Sequence, residues 1–395
     1  MLRAPGVRWL LATSMVARLP GAMANLAIIL RIVGATGSYA RAGGVTAAYV
    51  VGTGIMGPVV GRLADRFGRR PVLLLAVAVN AAGLVSLAFI GVSHILVVLA
   101  VAAVAGASLP PVAPAVRSLW GSLVSQELQS SLYAVDATLQ EATFMVGPTL
   151  VALLSSVWGP PVALIACGAI GLFGTVAVSL HPAVVAPGSA GTGAAATPSP
   201  RSAVPRHRRF QPAGIAGLAS LVVIVLMFLG AILVVEVSVV AFSGHAGAKN
   251  QAGVLLAVWA TGSMVGGFVF GARAAHAGAK VLSRLMVCSA VGFLLLAAAP
   301  GVAVLYGLLF LAGMSIAPGF SCIYGLVGDI SPSNGSVEAF SWIGSGIQMG
   351  AAAGAALGGL LIDDFGTRWS FAFAGCCGLA TAAIAWWRSS QPQPA

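Results

Sequence analysis

Long apolar runs, separated by short polar or basic stretches, recur along almost the whole chain. A hydrocarbon core about 30 Å thick is crossed by roughly 20 helical residues. Runs of that size fall at about 8–33, 41–61, 71–92, 94–117, 131–156, 160–181, 213–241, 251–271, 281–299, 302–327, 336–362 and 369–388. Strands of an outer-membrane barrel would be about ten residues long and alternate in polarity. These runs are long and unbroken, so the pattern predicts an all-α membrane protein with twelve transmembrane helices. The segment "VVAPGSAGTGAAATPSPRSAVPRHRRFQP" (184–212) interrupts the pattern with Gly, Ala, Ser and Pro followed by basic residues. It predicts a flexible linker. The expected organisation is a six-helix bundle over 1–182, a cytoplasmic linker over 183–212 and a second bundle over 213–395. At the N-terminus, Arg3 and Arg8 before "WLLATSMVA", with "AMA" at 22–24, outline a secretory signal. Arg18 interrupts its apolar core and the run continues through "NLAIIL", which favours a retained first helix.

Composition sharpens this picture. The 395 residues are 59% hydrophobic and 7% charged, and the mean hydropathy is +1.00, more apolar surface than a soluble fold can hide. A net charge of +11 also suits a nucleic-acid binder. The placement of the cations argues against that partner. With the N-terminus inside, only Arg31, Arg41, Lys249 and Arg368 fall outside and Arg18 falls within a span, while all other Lys and Arg fall inside. That asymmetry predicts cytoplasmic N- and C-termini. Five cysteines, an odd number, lie in apolar runs without metal-ligand spacing and read as packing residues. The sequence has no Walker loop and no metal-binding cluster. Neither an enzyme nor a cofactor or metal is expected.

The two halves resemble each other at an offset of about 207–210 residues. "GASLPPVAPAVR" (106–117) matches "GMSIAPGFSCIY" (313–324) at Gly106, Ser108 and Pro111 with Gly313, Ser315 and Pro318. "GRLADRFG" (61–68) matches "GARAAHAG" (271–278), with Ala275 in place of Asp65, and Gln140 matches Gln348. Duplicated halves of this kind are common among secondary transporters.

The stretch "GRLADRFGRRPVLL" (61–74) packs four arginines and one aspartate into a chain of few charges. It resembles the loop between the second and third helices of the major facilitator superfamily, matching at Gly61, Leu63, Ala64, Asp65, Arg66, Gly68, Arg69 and Arg70. The resemblance, closest to bacterial and particularly actinobacterial drug and small-molecule exporters, extends over nearly the whole chain. It implies two pseudo-symmetric six-helix bundles around a central cavity, rocking between inward- and outward-open states. It also places this loop against the start of the eleventh helix, here "SPSNGSVE" (331–338), where Glu338 stands as in a capping box. A carboxylate is stabilised at a helix N-terminus. Asp65 is therefore expected to dock there as a gating latch, with Gly61, Arg66, Gly68, Arg69 and Arg70 around it. A local Asp65–Arg salt bridge is the plainer reading.

Ionisable residues within spans are costly and mark functional positions. Arg18 lies in the first span, Asp136 and Glu141 in the fifth, and Glu236 in the seventh. Asp136 and Gln140, four apart, share a helix face. Arg18, Asp136, Gln140, Glu141 and Glu236 are candidates for proton coupling or substrate contact. A structural Arg18–carboxylate pair is the competing reading. Gly147-Pro148 resembles part of the exporters' fifth-helix motif, but Thr149-Leu150-Val151 follows it. Ala102 stands where drug–proton antiporters usually carry an arginine, four residues before Gly106. Asn25, Trp259, Tyr324 and Gln348 are candidate cavity contacts. The function expected is a monomeric, proton-coupled exporter of small, moderately hydrophobic molecules in the cytoplasmic membrane. A nutrient importer or facilitator, and more remotely a transporter-like sensor, are the alternatives.

Overall fold

The computed structural model describes residues 6–92, 94–124, 126–185, 212–245, 251–272, 278–331 and 336–390. These form helices α1 (Val7–Thr36), α2 (Tyr39–Phe67), α3 (Arg69–Phe89), α4 (Ile95–Ala107), α5 (Val112–Arg117), α6 (Trp120–Leu123), α7 (Gln126–Trp158), α8 (Pro160–Ser179) and α9 (Pro182–Val185). The series continues with α10 (Pro212–His245), α11 (Ala252–Ala272), α12 (Ala279–Ala297), α13 (Val302–Gly313), α14 (Ile316–Ile330), α15 (Ser336–Phe365) and α16 (Thr367–Ser389). Twelve membrane-spanning segments result, and the linker expected over 183–212 lies almost wholly outside the described residues.

Two of the twelve spans are each made of more than one helix, and proline is the cause. The fourth, Ile95–Leu123, comprises α4, α5 and α6, and the tenth, Val302–Ile330, comprises α13 and α14. Pro110 and Pro111 offer no N–H to continue α4, so the chain turns at Ser108–Pro111 and restarts. Pro114 and Pro318 then sit in the first turns of α5 and α14, where a missing N–H costs nothing. The sequence predicts kinks at these prolines; the breaks are sharper than kinks because each proline coincides with a helix start.

Cα packing divides the chain into two compact units. Unit 1 comprises Met1–Ser125, Ala142–Ala216 and Ile330–Ser345; unit 2 comprises Gln126–Glu141, Gly217–Asp329 and Gly346–Ala395. Thus α7 and α15 are each shared, their first parts packing in the unit opposite to the rest of their own sequence half.

The same contacts recur inside each unit. In unit 1, α2 packs on α4 and α3 on α8; in unit 2, α11 packs on α13 and α12 on α16. Glycine permits each approach. A Cβ on Gly106 would strike the Tyr49 carbonyl, and one on Gly313 would strike that of Trp259. Gly52 meets Ala103 as Gly262 meets Phe310, Gly83 meets Ala105 as Gly292 meets Ala312, and Gly168 meets Ala81 as Gly378 meets Ala290. Every pair is displaced by the offset seen in the sequence, so the repeat extends to individual contacts. Large apolar side chains such as Leu75, Phe173, Phe268 and Leu311 stay exposed on the helices, as lipid-facing positions do.

Candidate functional site

The Asp65 carboxylate meets the start of α15 within unit 1. Its Oδ2 accepts from the Glu338 backbone N–H at 2.9 Å and its Oδ1 from that of Val337 at 3.3 Å. These are first-turn donors with no partner inside their own helix, and they carry the positive end of the helix dipole. Arg69 interacts electrostatically with Asp65 from the start of α3. The aspartate thus accepts from a distant helix end and lies within electrostatic reach of an arginine of its own loop. Arg62 Nη2 donates to Glu338 Oε1 at 2.6 Å. The residues a capping box would join to Glu338, 332–335, lie outside the described residues.

Each glycine of the loop motif has a separate reason. A Cβ on Gly61 would lie 2.5 Å from Ser341 Oγ and 3.1 Å from Glu338 Cα, so only glycine lets α2 reach α15. Gly68 has φ +94°, which lets the chain turn directly from α2 into α3. Arg66 stacks over Phe67 with its guanidinium carbon 5.2 Å from the ring centre, and Arg70 is exposed. One turn before Gly61, Gly57 faces Ser345, whose hydroxyl donates to the Gly54 carbonyl at 2.6 Å.

A matching seam lies within unit 2, between the end of α11 and the start of α7. Gly267 is in contact with Thr138, Gly271 lies against Ala134, and the Ser131 hydroxyl donates to the Gly271 carbonyl at 2.6 Å. Gly57, Gly61, Ser341 and Ser345 correspond through the repeat to Gly267, Gly271, Ala134 and Thr138. Ala275, the counterpart of Asp65, lies outside the described residues.

The in-span candidates divide between the units. Arg18 on α1 is buried in unit 1. Asp136, fully buried, and the half-buried Gln140 and Glu141 lie on the part of α7 that belongs to unit 2. Glu236 on α10 is half-buried in the same unit and interacts electrostatically with Glu141. Asn25 on α1 and Gln348 on α15 are half-buried, and Asn25 Oδ1 finds no hydrogen-bond donor among the described residues. Tyr324 is buried and stacks on Phe320, which packs at 5.5 Å on Phe228 of α10. Trp259 is 4% exposed, with its ring edge-on to Phe293 and its backbone against Gly313, the place Tyr49 takes in unit 1.

A sequence profile of the Major Facilitator Superfamily matches residues 10–281 and 220–395. The chain belongs to the major facilitator superfamily. It is therefore a multi-pass membrane transporter of the secondary kind, with the all-helical fold of that superfamily. The fold is similar to that of the human organic anion transporter MFSD10 (TETRAN), at TM-score 0.71 and 18% identity, covering 96% of this chain and 100% of that one. It is similar to a bacterial homologue of the iron transporter ferroportin in an outward-facing state, at TM-score 0.76 and 13% identity, covering 98% and 99%. The E. coli fucose:proton symporter FucP matches at TM-score 0.73 and 13% identity, covering 98% of each chain. At such identities the likeness shows the fold alone. No curated protein matches the chain by sequence.

In this superfamily member the loop motif was readable from the sequence, but most of its partners were not. Ser341 and Ser345 at this seam, and Ser131 and Thr138 at its counterpart in unit 2, carry no motif of their own. The available signal was glycine at four-residue spacing, Gly57 and Gly61 in α2 and Gly267 and Gly271 in α11, the register of close helix approach.

Proposed function

We propose that this transporter is a proton-coupled exporter of small, moderately hydrophobic molecules, working as a monomer in the cytoplasmic membrane with both termini inside. Alternating access moves the two sequence halves, 1–182 and 213–395. The observation that carries this reading is the placement of two half-buried in-span carboxylates, Glu141 and Glu236, in one compact unit and within electrostatic reach, in a chain with few ionisable groups. Binding one proton to such a pair removes a like-charge repulsion inside a low dielectric, which is what a proton carrier requires. Arg18, Asp136 and Gln140 tune the exchange, and Asn25, Tyr324, Gln348 and Trp259 are the proposed substrate-side positions. The scarcity of charge favours apolar or weakly charged cargo. Asp65, with Gly61, Arg66, Gly68, Arg69 and Arg70, acts as the cytoplasmic latch, supported by its two bonds to the start of α15.

Import of a nutrient on the same fold is the second reading, favoured by Ala102, which stands where drug–proton antiporters usually carry an arginine and is fully buried. The deciding experiment measures accumulation of dyes and antibiotics in efflux-deficient cells expressing the wild type or Glu141→Gln. Export predicts lower accumulation with the wild type only, abolished when the proton gradient is collapsed. Raised uptake, or no change across the panel, sinks the export reading in favour of import.

A further inference from the structure

A second site lies far along the sequence from the latch, where α12 begins and α16 ends. A surface-open cavity of ≈ 370 Å³ there is lined by Lys280, Ser283, Arg284, Trp386, Ser389 and Ser390, all within unit 2. Among the described residues the lining has two cations, three hydroxyls and an indole, and no carboxylate. Lys280 and Arg284 are both exposed and, four residues apart, share one face of α12. Two like charges in that register repel, so the arrangement is stabilised by an anion placed between them.

The backbone favours the same ligand. Gly278 stands at the N-cap of α12 and makes no side-chain hydrogen bond, and this end of α12 carries the positive pole of the helix dipole. At the opposing α16 end the last-turn carbonyls are partly satisfied. The Ser390 N–H and the Ser389 and Ser390 hydroxyls occupy the Trp386 carbonyl, and the same N–H also caps the Trp387 and Arg388 carbonyls.

The surroundings select the form of the anion. Below the cations, the exposed face of α12 continues through Val287, Val291 and Leu295. These residues follow Lys280 and Arg284 at helical spacing, so a single stripe runs from charge to hydrocarbon. Trp386 and Trp387, 67% and 60% exposed, place indoles at the level where a span leaves the membrane. We propose that this cavity binds a phosphate-bearing anion presented as the headgroup of an anionic glycerophospholipid, with its acyl chains lying along the α12 stripe. A general attraction of basic residues to the inner leaflet needs neither a cavity nor a shared stripe. The lipid joins α12 to α16 at their basic ends.

The test uses the purified full-length protein in neutral detergent, with phosphatidylglycerol, phosphatidylcholine and inorganic phosphate as separate probes. Native mass spectrometry counts bound lipid and thermal unfolding reports its effect. One tightly held phosphatidylglycerol is expected, raising the unfolding midpoint, with no such effect from phosphatidylcholine. Lys280→Gln combined with Arg284→Gln is expected to weaken that binding about thirtyfold, from about fivefold per cation near an anionic surface. Both side chains are exposed and repel each other, so the midpoint without lipid stays equal or rises slightly; the control Arg41→Gln with Arg368→Gln removes equal charge at the other end. Equal weakening in both pairs, or equal binding of phosphatidylcholine, overturns the proposal. Stabilisation by inorganic phosphate that displaces the phospholipid overturns the lipid assignment and leaves a free-anion site.

Discussion

Asp65 joins the loop motif to a helix that begins 271 residues later, at Ser336, and does so through charge placed at unpaired N–H groups. Asp65→Asn keeps the shape and removes the charge. A carboxylate at a helix N-terminus is worth about 0.3–2 kcal/mol, so the closed seam should lose roughly two- to thirtyfold in relative population. Disulfide formation between cysteines placed at Gly57 and Ser345, in a background without native cysteines, reads that population; an unchanged rate in Asp65→Asn removes the latch role. Arg62 sits on the same helix end but is 69% exposed, so its ion pair with Glu338 is screened by water and salt. Arg62→Ala should shift the same rate by less than about fivefold, with the difference vanishing at high salt. The motif made Asp65 legible in the sequence. Arg62 and Glu338 were not legible as a pair, because a single ion pair between distant positions leaves no pattern in either segment.

Helices in this molecule meet through glycine against backbone carbonyl, and the register of those meetings is duplicated. Gly106 and Gly313 hold equivalent positions against Tyr49 and Trp259. Adding a methyl group to either must push two helices apart, a cost of about 1–3 kcal/mol for an overpacked contact. Gly106→Ala should therefore lower the thermal midpoint in detergent, while Gly43→Ala, where nothing lies within 4 Å, should leave it equal or slightly raised. If both substitutions behave alike, the close approach of α2 and α4 does not hold the bundle together. The spacing of these glycines was visible in the sequence. Their partners were not, since a glycine records only that something comes close. Trp259, a candidate cavity contact in the sequence, likewise gave no hint that Phe293 and Gly313 would be among its neighbours.

At the scale of the whole transporter, Glu141 and Glu236 come from separate sequence halves and interact within one compact unit. If they carry the proton together, their neutral variants are not independent. Glu141→Gln and Glu236→Gln should each reduce proton-driven transport, and the double variant should be little worse than the more damaging single one. Additive losses in a transport assay with an imposed proton gradient would assign the two carboxylates to separate tasks. The first parts of α7 and α15 pack in the unit opposite to the rest of their own sequence half. This exchange is what brings Glu141 to Glu236 and Asp65 to Val337.

The sequence alone determined the class, the number of spans, the repeat and the superfamily. Each is written in a signal that is local or periodic: hydrocarbon thickness sets run length, the repeat keeps its offset, and the loop motif is contiguous. Tertiary structure decided which helices exchange their first parts, which serine or threonine meets each seam glycine, and that Lys280 and Arg284 share a cavity with Trp386. Those outcomes depend on side chains from distant segments fitting within a few ångströms, and helix periodicity constrains a residue's own face without naming what lies opposite.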